Sequence, residues 1–553
     1  MLLVVAWDGA CFDLIQPFLA AGDLPVLSKF IAEGASRELR STIPPVTFPA
    51  WTTFMTASSP DRHGITDFTV RKRGSYSLRF VNASDRRQPT IWALMNAADL
   101  RVGVYGFPAT YPPEGLDGFQ ICGFDTPLGS GAASRATHPA HLAGELIDRF
   151  GGLGTGGPSQ ARIDSGWHRR ALESMSSEIE LRTDIALELL GRSEVDVFAV
   201  HYGESDTVSH QFWHFFDDAS PRHRDDGPAG AVARVYREMD RALGRLLEAV
   251  GEGADVVLLS DHGSGGSSNR VVFWNRWLAD QGLLGFSRGP GSGALYGPIR
   301  RLALSLVPAA WQARLFSRFA SVVGGLESGH RFAGVDWPRT TVYSEELNYF
   351  PSLWFNLRGR EPCGTVGQED LRSLTNDVRQ LLLEFRDPFD DQAVVEAVYE
   401  REELCDGPFA YRTPDLVLRL RCPEGYSYAA ASSRGGRETL PLRLLREREM
   451  SGARGATMAG AHTELGLCVL RGPGIRPGRY PEGNLQDAGA TVLALAGVEV
   501  SEGMNGVLWD DLVERDRSRL RSVNALSPGA GNEYSPEEER EVAEKLRDLG
   551  YLQ

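Results

Sequence analysis

The chain is 553 residues long, enough for one large domain with insertions or for two or three ordinary ones. Hydrophobic residues make up 42% and charged residues 24%, the balance of a soluble globular protein rather than a disordered or membrane chain. A formal net charge of −15 argues against broad, sequence-independent nucleic-acid binding, which needs a basic surface, but leaves room for a small phosphorylated substrate whose charge a metal would meet.

Leu2-Leu3-Val4-Val5-Ala6, running into Trp7-Asp8-Gly9, predicts a buried strand that delivers an acid to its carboxyl end. The block is too short to span a membrane and has no charged segment before it, so a cytoplasmic protein is expected. The pattern recurs at Asp196 to Tyr202, which leads to Glu204-Ser205-Asp206, and at Asp255 to Ser260, which leads to Asp261-His262-Gly263. Between these strands Ser174 to Leu190 and Val232 to Val250 carry apolar residues at helical spacing, so the fold class expected is α/β with a mostly parallel sheet flanked by helices. Such sheets bind ligands beyond the carboxyl ends of their strands.

Gly151 to Gly157 and Gly289 to Gly297 are Gly-rich loops, and the second reads as a boundary. Beyond it come a basic, partly amphipathic stretch from Arg300 to Phe319, strand-like runs at Thr341 to Leu357 and Asp415 to Leu420, and a helix-like run from Glu369 to Phe385. The strand-and-ligand pattern resumes at Ala461-His462 and Leu467 to Leu470. The organisation expected is therefore a core of residues 1–285 and 440–525, an inserted cap over 286–439, and a helical tail over 526–553. Within that tail Ser535-Pro536-Glu537-Glu538 forms an N-terminal cap signature. The six cysteines lie far apart and suggest neither a disulfide framework nor a thiolate zinc site.

Histidine is scarce, 11 in the whole chain, so its placement beside acids is informative. Asp206-x-x-x-His210 puts both side chains on one helical face, an arrangement open to one metal and equally to a solvated surface pair. Asp261-His262 follows an apolar strand and precedes Gly263, Gly265 and Gly266, where a tight turn would aim both side chains into one crevice. Asp8 alone suits a helix cap, and His462 alone suits a core histidine. Taken together, Asp8, Asp206, His210, Asp261, His262 and His462 supply the mixed oxygen and nitrogen ligands of two divalent cations. The nucleophile expected is Thr47, in Pro44-Pro45-Val46-Thr47-Phe48-Pro49, where a helix starting near Pro49 would turn its first amides toward an anion. A hydroxyl is a poor nucleophile at its free pKa and needs a metal to hold it as alkoxide.

In this order and spacing Asp8, Thr47-Phe48-Pro49, Pro60-Asp61-Arg62-His63-Gly64-Ile65, Asp206-x-x-x-His210, Asp261-His262-Gly263 and Gly460-Ala461-His462 resemble the type I phosphodiesterase/nucleotide pyrophosphatase family of the alkaline phosphatase superfamily. The resemblance implies an alkaline phosphatase-like core with an inserted smaller cap region. It also implies two metal ions, zinc or alternatively manganese. One would be held by Asp206, His210 and His462, the other by Asp8, Thr47, Asp261 and His262. The activity implied is hydrolysis of a phosphodiester or pyrophosphate bond through a phosphothreonine. Its alternatives are a phosphonate hydrolase or phosphomonoesterase on the same site, or a catalytically silent binding protein on this fold. The partner expected is a small phosphorylated or phosphonate substrate, with no nucleic-acid polymer and no membrane. Two departures from the family pattern bear on the substrate: Thr66-Asp67-Phe68 lacks the Asn that contacts phosphate, and Ala50-Trp51 replaces the usual polar residues after Thr-Phe-Pro.

Overall fold

The computed structural model describes residues 1–127, 135–158, 166–287, 331–450 except 333, 458–514 and 532–549, with 518, 520–523 and 526 besides. The stretch from Arg300 to Phe319, the loop from Gly289 to Gly297 and the chain beyond 549 lie outside these residues.

Five parallel strands form the centre of a ten-stranded sheet, in the spatial order Asp255–Leu259, Leu2–Trp7, Val197–Tyr202, Val102–Tyr105 and Gly118–Ile121. Leu2–Trp7 and Val197–Tyr202 are buried along their whole length, as expected of strands covered on both faces. Successive side chains leave opposite faces. Accordingly Leu3, Val5 and Trp7 enter one hydrophobic core, and Leu2, Val4 and Ala6 enter the other. Each such buried aliphatic side chain contributes about 1.5–3 kcal/mol to folding. The first core is closed by the helices Trp167–Arg192, Glu204–Phe216 and Ala231–Val250, and the second by Thr47–Thr56 and Leu485–Leu495. Leu465–Arg471 runs antiparallel between Asp255–Leu259 and Ala35–Arg40 and extends the sheet.

Register matters more here than strand count. Trp7 pairs with Tyr202 and Ala6 with Leu259, so three neighbouring strands end level and release Asp8, Glu204 and Asp261 at one rim. After Asp261-His262 the chain does not make the expected Gly turn. Gly263–Val272 is a strand, paired antiparallel with Gly460–Thr463 so that Ser264 faces His462. Its glycines serve close approach: a Cβ on Gly263 would sit 2.2 Å from the Leu465 carbonyl oxygen. The same strand continues into pairing with Ser427–Ala430 and Leu442–Leu444. A separate four-stranded sheet, in the order Val342–Tyr343, Ser352–Phe355, Leu416–Leu420 and Val395–Glu400, has its own core with Trp274, Trp354 and the helix Gln368–Glu384.

The C-terminal helix Pro536–Leu549 is capped as the sequence predicts, with the Glu538 amide donating to Ser535 Oγ at 3.3 Å and the Ser535 amide to the Glu538 carboxylate at 2.8 Å. Its Val542 and Leu546 pack into one cluster with Phe48 and Phe68. No single described helix is long and apolar enough to cross a membrane.

Candidate metal centre and nucleophile

Asp8, Asp261 and His262 meet at the rim of the sheet. His262 Nε2 lies 3.5 Å from Asp8 Oδ1 and 3.4 Å from Asp261 Oδ2. Asp206 and His210 come from the first two turns of the Glu204–Phe216 helix, and His462 from the strand beside Ser264. Asp206 Oδ1 stands 3.1 Å from His210 Nε2 and 3.4 Å from His462 Nε2, and the two imidazole nitrogens are 2.9 Å apart. Ligand atoms at about 2.0 Å from a tetrahedral ion are about 3.3 Å from one another, so these separations are the edges of such a shell. The two groups are contiguous: ligand atoms of Asp206, His262 and His462 also gather within 4.8 Å, and the His262 and His462 rings stack at 3.7 Å.

Proton placement points the same way. His210 Nδ1 donates to the Gly460 carbonyl at 3.0 Å, His462 Nδ1 to the Pro45 carbonyl at 2.7 Å, and His262 Nδ1 to the Gly263 carbonyl at 3.0 Å. A carbonyl only accepts, so each Nδ1 carries the proton, and in the neutral ring each Nε2 presents a lone pair. With both rings neutral, two lone pairs 2.9 Å apart beside a carboxylate oxygen repel, and either a proton on His210 Nε2 facing Asp206 or a metal cation relieves this. Asp8 Oδ1, Asp261 Oδ2 and His262 Nε2 are buried without a hydrogen-bond partner. The residues present therefore fit two cations, with second-contact partners already fixed.

Electrostatics without metal show the strain of this crowding. Burial pushes the Asp261 carboxyl well up, and the charges of Asp8 and Asp206 push it further. Burial also depresses His262 to about 4, helped by His462. At Asp206 burial favours the neutral acid, but the charges and hydrogen bonds of His210 and His462 outweigh it and hold the group well below the usual range. His210 is raised, because Asp206 outweighs the effect of burial.

Thr47 is the first residue of the Thr47–Thr56 helix, which begins two residues earlier than expected. Its hydroxyl is buried and has no hydrogen-bond partner. Two links tie its neighbours in the chain to the rim. Pro45, two residues before, accepts from His462, and Trp51, one turn later on the same helical face, donates its indole N–H to Asp8 Oδ2 at 2.9 Å. His201 Nε2 donates to the same Oδ2 at 2.9 Å. Asp8 thus keeps one oxygen for its protein partners and one for the cleft. Trp51 and His201 escape sequence reasoning: Trp51 registers only as a departure from pattern and His201 only as a histidine in an apolar strand.

Phe48 is the reverse case. Its ring is wholly buried, 4.3 Å from Phe68 and 6.0 Å from Phe124, and serves packing. The Pro60 to Ile65 motif turns out to be a corner. Asp61 accepts from the amides of Asp406 and Gly407, and buried His63 accepts from the Ile65 amide at 3.2 Å and donates to Thr53 Oγ1 at 3.0 Å.

A parallel sheet with a rim of three carboxylates, three imidazoles and a buried hydroxyl defines an alkaline phosphatase-like α/β hydrolase. Residues 2–457 match the family described as type I phosphodiesterase/nucleotide pyrophosphatase, and the chain belongs to that family of metal-dependent phosphoester hydrolases. The fold is similar to that of phosphonoacetate hydrolase from Sinorhizobium meliloti 1021 in complex with phosphonoformate, with a TM-score of 0.52 at 16% identity over 90% of this chain and 95% of that one. The same enzyme in complex with phosphonoacetate gives 0.53 at 17% identity, over the same shares. Murine ectonucleotide pyrophosphatase/phosphodiesterase 5 gives 0.49 at 12% identity over 93% and 99%. No curated protein matches the sequence.

Proposed function

We propose that this chain is a two-metal phosphoester hydrolase in which Thr47 attacks phosphorus. The observation that carries the reading is the buried, unpartnered Thr47 hydroxyl, tied through Pro45 and Trp51 to a rim whose Nε2 lone pairs and carboxylate oxygens converge. Asp206, His210 and His462 would hold one ion, and Asp8, Asp261 and His262, with Thr47, the other. The ions, zinc by this ligand set with manganese as the alternative, would supply Lewis acidity that holds the hydroxyl deprotonated and offsets charge on the phosphate oxygens. Thr47 Oγ1 forms a bond to phosphorus as the bond to the leaving alcohol breaks, giving a phosphothreonine. Water then cleaves that ester in line and restores the hydroxyl.

Thr47→Ala removes the hydroxyl together with one buried methyl group. Hydrolysis of bis(4-nitrophenyl) phosphate is expected to vanish while two divalent ions per chain and the melting temperature persist. Undiminished turnover in that variant would overturn the nucleophile assignment. A second reading, a phosphonate hydrolase on the same Thr47, draws support from the phosphonoacetate-bound structure of similar fold. Specificity constants on a matched diester, monoester and phosphonate ester decide between the two.

A further inference from the structure

The segment from Leu347 to Ser352 is a partition. Asn348, Tyr349 and Pro351 face the cleft that opens on His210 and His462, whereas Leu347, Phe350 and Ser352 face a second cavity, of about 1180 Å³. Neither Thr47 nor any of the six proposed metal ligands lines this second space. Among the described residues, both groups of side chains able to gather round an ion lie at the sheet rim and not here.

Among the described residues, seven cations and three acids line the cavity, in a chain whose net charge is −15. The acids are engaged: Asp67 accepts from the Thr69 hydroxyl at 3.1 Å, Glu345 pairs with Arg331 at 3.2 Å and Glu533 with Arg79 at 3.1 Å. Three of the cations are engaged too, Arg71 with Glu361 at 2.8 Å, Arg79 with Asp85 at 2.6 Å and Arg360 with Asp415 at 2.6 Å. The other four are Lys72, Arg73, Arg358 and Arg412. Among the described residues no carboxylate lies within ion-pair distance of Lys72, Arg73 or Arg412, and Arg358 reaches only Glu369, at 3.9 Å. Lys72 and Arg73 belong to the turn between the paired strands Thr69–Arg71 and Leu78–Phe80, Arg358 follows the strand Ser352–Phe355, and Arg412 donates to the Gly64 carbonyl at 2.6 Å. Three distant parts of the chain thus bring like charges to one space, where their potentials add and favour an anion. The rest of the lining is apolar and aromatic, with Phe350 and Trp354 buried and the Tyr411 ring 62% exposed.

We propose that this cavity is a second ligand site, which binds a phosphorylated organic molecule without cleaving it, the phosphate held by Lys72, Arg358 and Arg412 and the carbon skeleton laid against Tyr411 and the apolar wall. Guanidinium groups meet phosphate oxygens in pairs, and a dianion offsets several converging cations better than a single carboxylate does. A cavity of this size and apolar lining suits an organic ligand rather than a bare ion.

Lysine is rare enough to make a covalent test clean, because the chain contains only Lys29, Lys72 and Lys545. The probe is pyridoxal 5′-phosphate, a flat ring that carries a phosphate dianion. Its aldehyde condenses with a lysine amine and releases water, and borohydride reduces the imine to a stable secondary amine that peptide mapping locates. In the metal-loaded full chain Lys72 should be labelled roughly tenfold faster than Lys29, whose side chain is 71% exposed. Phenylphosphonate, a stable aryl dianion, should protect Lys72 and leave Lys29 unprotected. Pyridoxal, which lacks the phosphate, should show no preference, and the Arg358→Gln/Arg412→Gln variant should lose it. Equal labelling of Lys72 and Lys29, a preference shared by pyridoxal, or one that survives the double substitution overturns the proposal. Protein labelled at Lys72 should hydrolyse bis(4-nitrophenyl) phosphate at the unlabelled rate, and loss of turnover on labelling would place the cavity in the reaction and overturn a separate site.

Discussion

Replacing Trp51 by Phe removes the indole N–H and part of the buried ring volume, and keeps an aromatic between Phe54 and Phe107. What is lost is one of two donors, each at 2.9 Å, on Asp8 Oδ2. A hydrogen bond to a charged group contributes about 1.5–3 kcal/mol, and the buried Oδ2 then depends on His201 alone. Part of this loss falls on the metal-free fold and part on the bound state, because a carboxylate held by one donor no longer presents Oδ1 in a fixed direction. Partners of metal ligands change affinity about 10–100-fold, equivalent to about 1.4–2.7 kcal/mol. The assay is competitive titration with a chelating indicator at a temperature where both proteins are folded. On the proposed two-metal reading, the ion assigned to Asp8, Asp261 and His262 should bind about 10–100-fold more weakly, and the one assigned to Asp206, His210 and His462 should be unaffected. Wild-type affinity for both ions would refute the reasoning, since a purely packing role for Trp51 would lower the melting temperature and leave the titration alone.

His63 offers a test in acid. Burial, with Arg86 adding to it, depresses its pKa from 6.5 to about 3, so the folded state resists a proton that the unfolded chain takes up below 6.5. Stability is therefore complete above pH 6.5 and falls by about 1.4 kcal/mol per pH unit as the pH drops toward 3. His63→Gln should lower stability at neutral pH but flatten this acid slope, and identical slopes in urea titrations at pH 7, 6 and 5 would reject it. At the other end of the chain Ser535→Ala removes the side chain that accepts from the Glu538 amide. It should cost about 1 kcal/mol in denaturant unfolding, and no change would mean that the C-terminal helix does not unfold with the rest.

Most of the rim was legible because local patterns carry it. An unbroken apolar run can end in Asp8 or Asp261 only where a buried strand reaches the surface of the sheet, and Asp206 with His210 declares its shared face by spacing alone. The partners that aim these groups were not legible. Trp51 meets Asp8 across 43 residues and His201 meets it across 193, and nothing in either neighbourhood encodes the pairing. Gly263, Gly265 and Gly266 read as a turn because glycine is commonest there, yet tertiary crowding by Leu465, Thr463, Trp213 and Tyr426 is what demands them. The Pro60 to Ile65 motif was visible as a motif, but its work depends on amides at Asp406 and Gly407, more than 300 residues away.

The three histidines are each pinned through Nδ1 to a main-chain carbonyl, at Gly460, Pro45 and Gly263. Such rings cannot swing to suit an arriving ion without giving up a buried hydrogen bond, so the cleft behaves as a rigid gauge rather than an adaptable clamp. On the two-metal reading proposed above, such a template is expected to disfavour a larger cation that demands six or more oxygens, as calcium does.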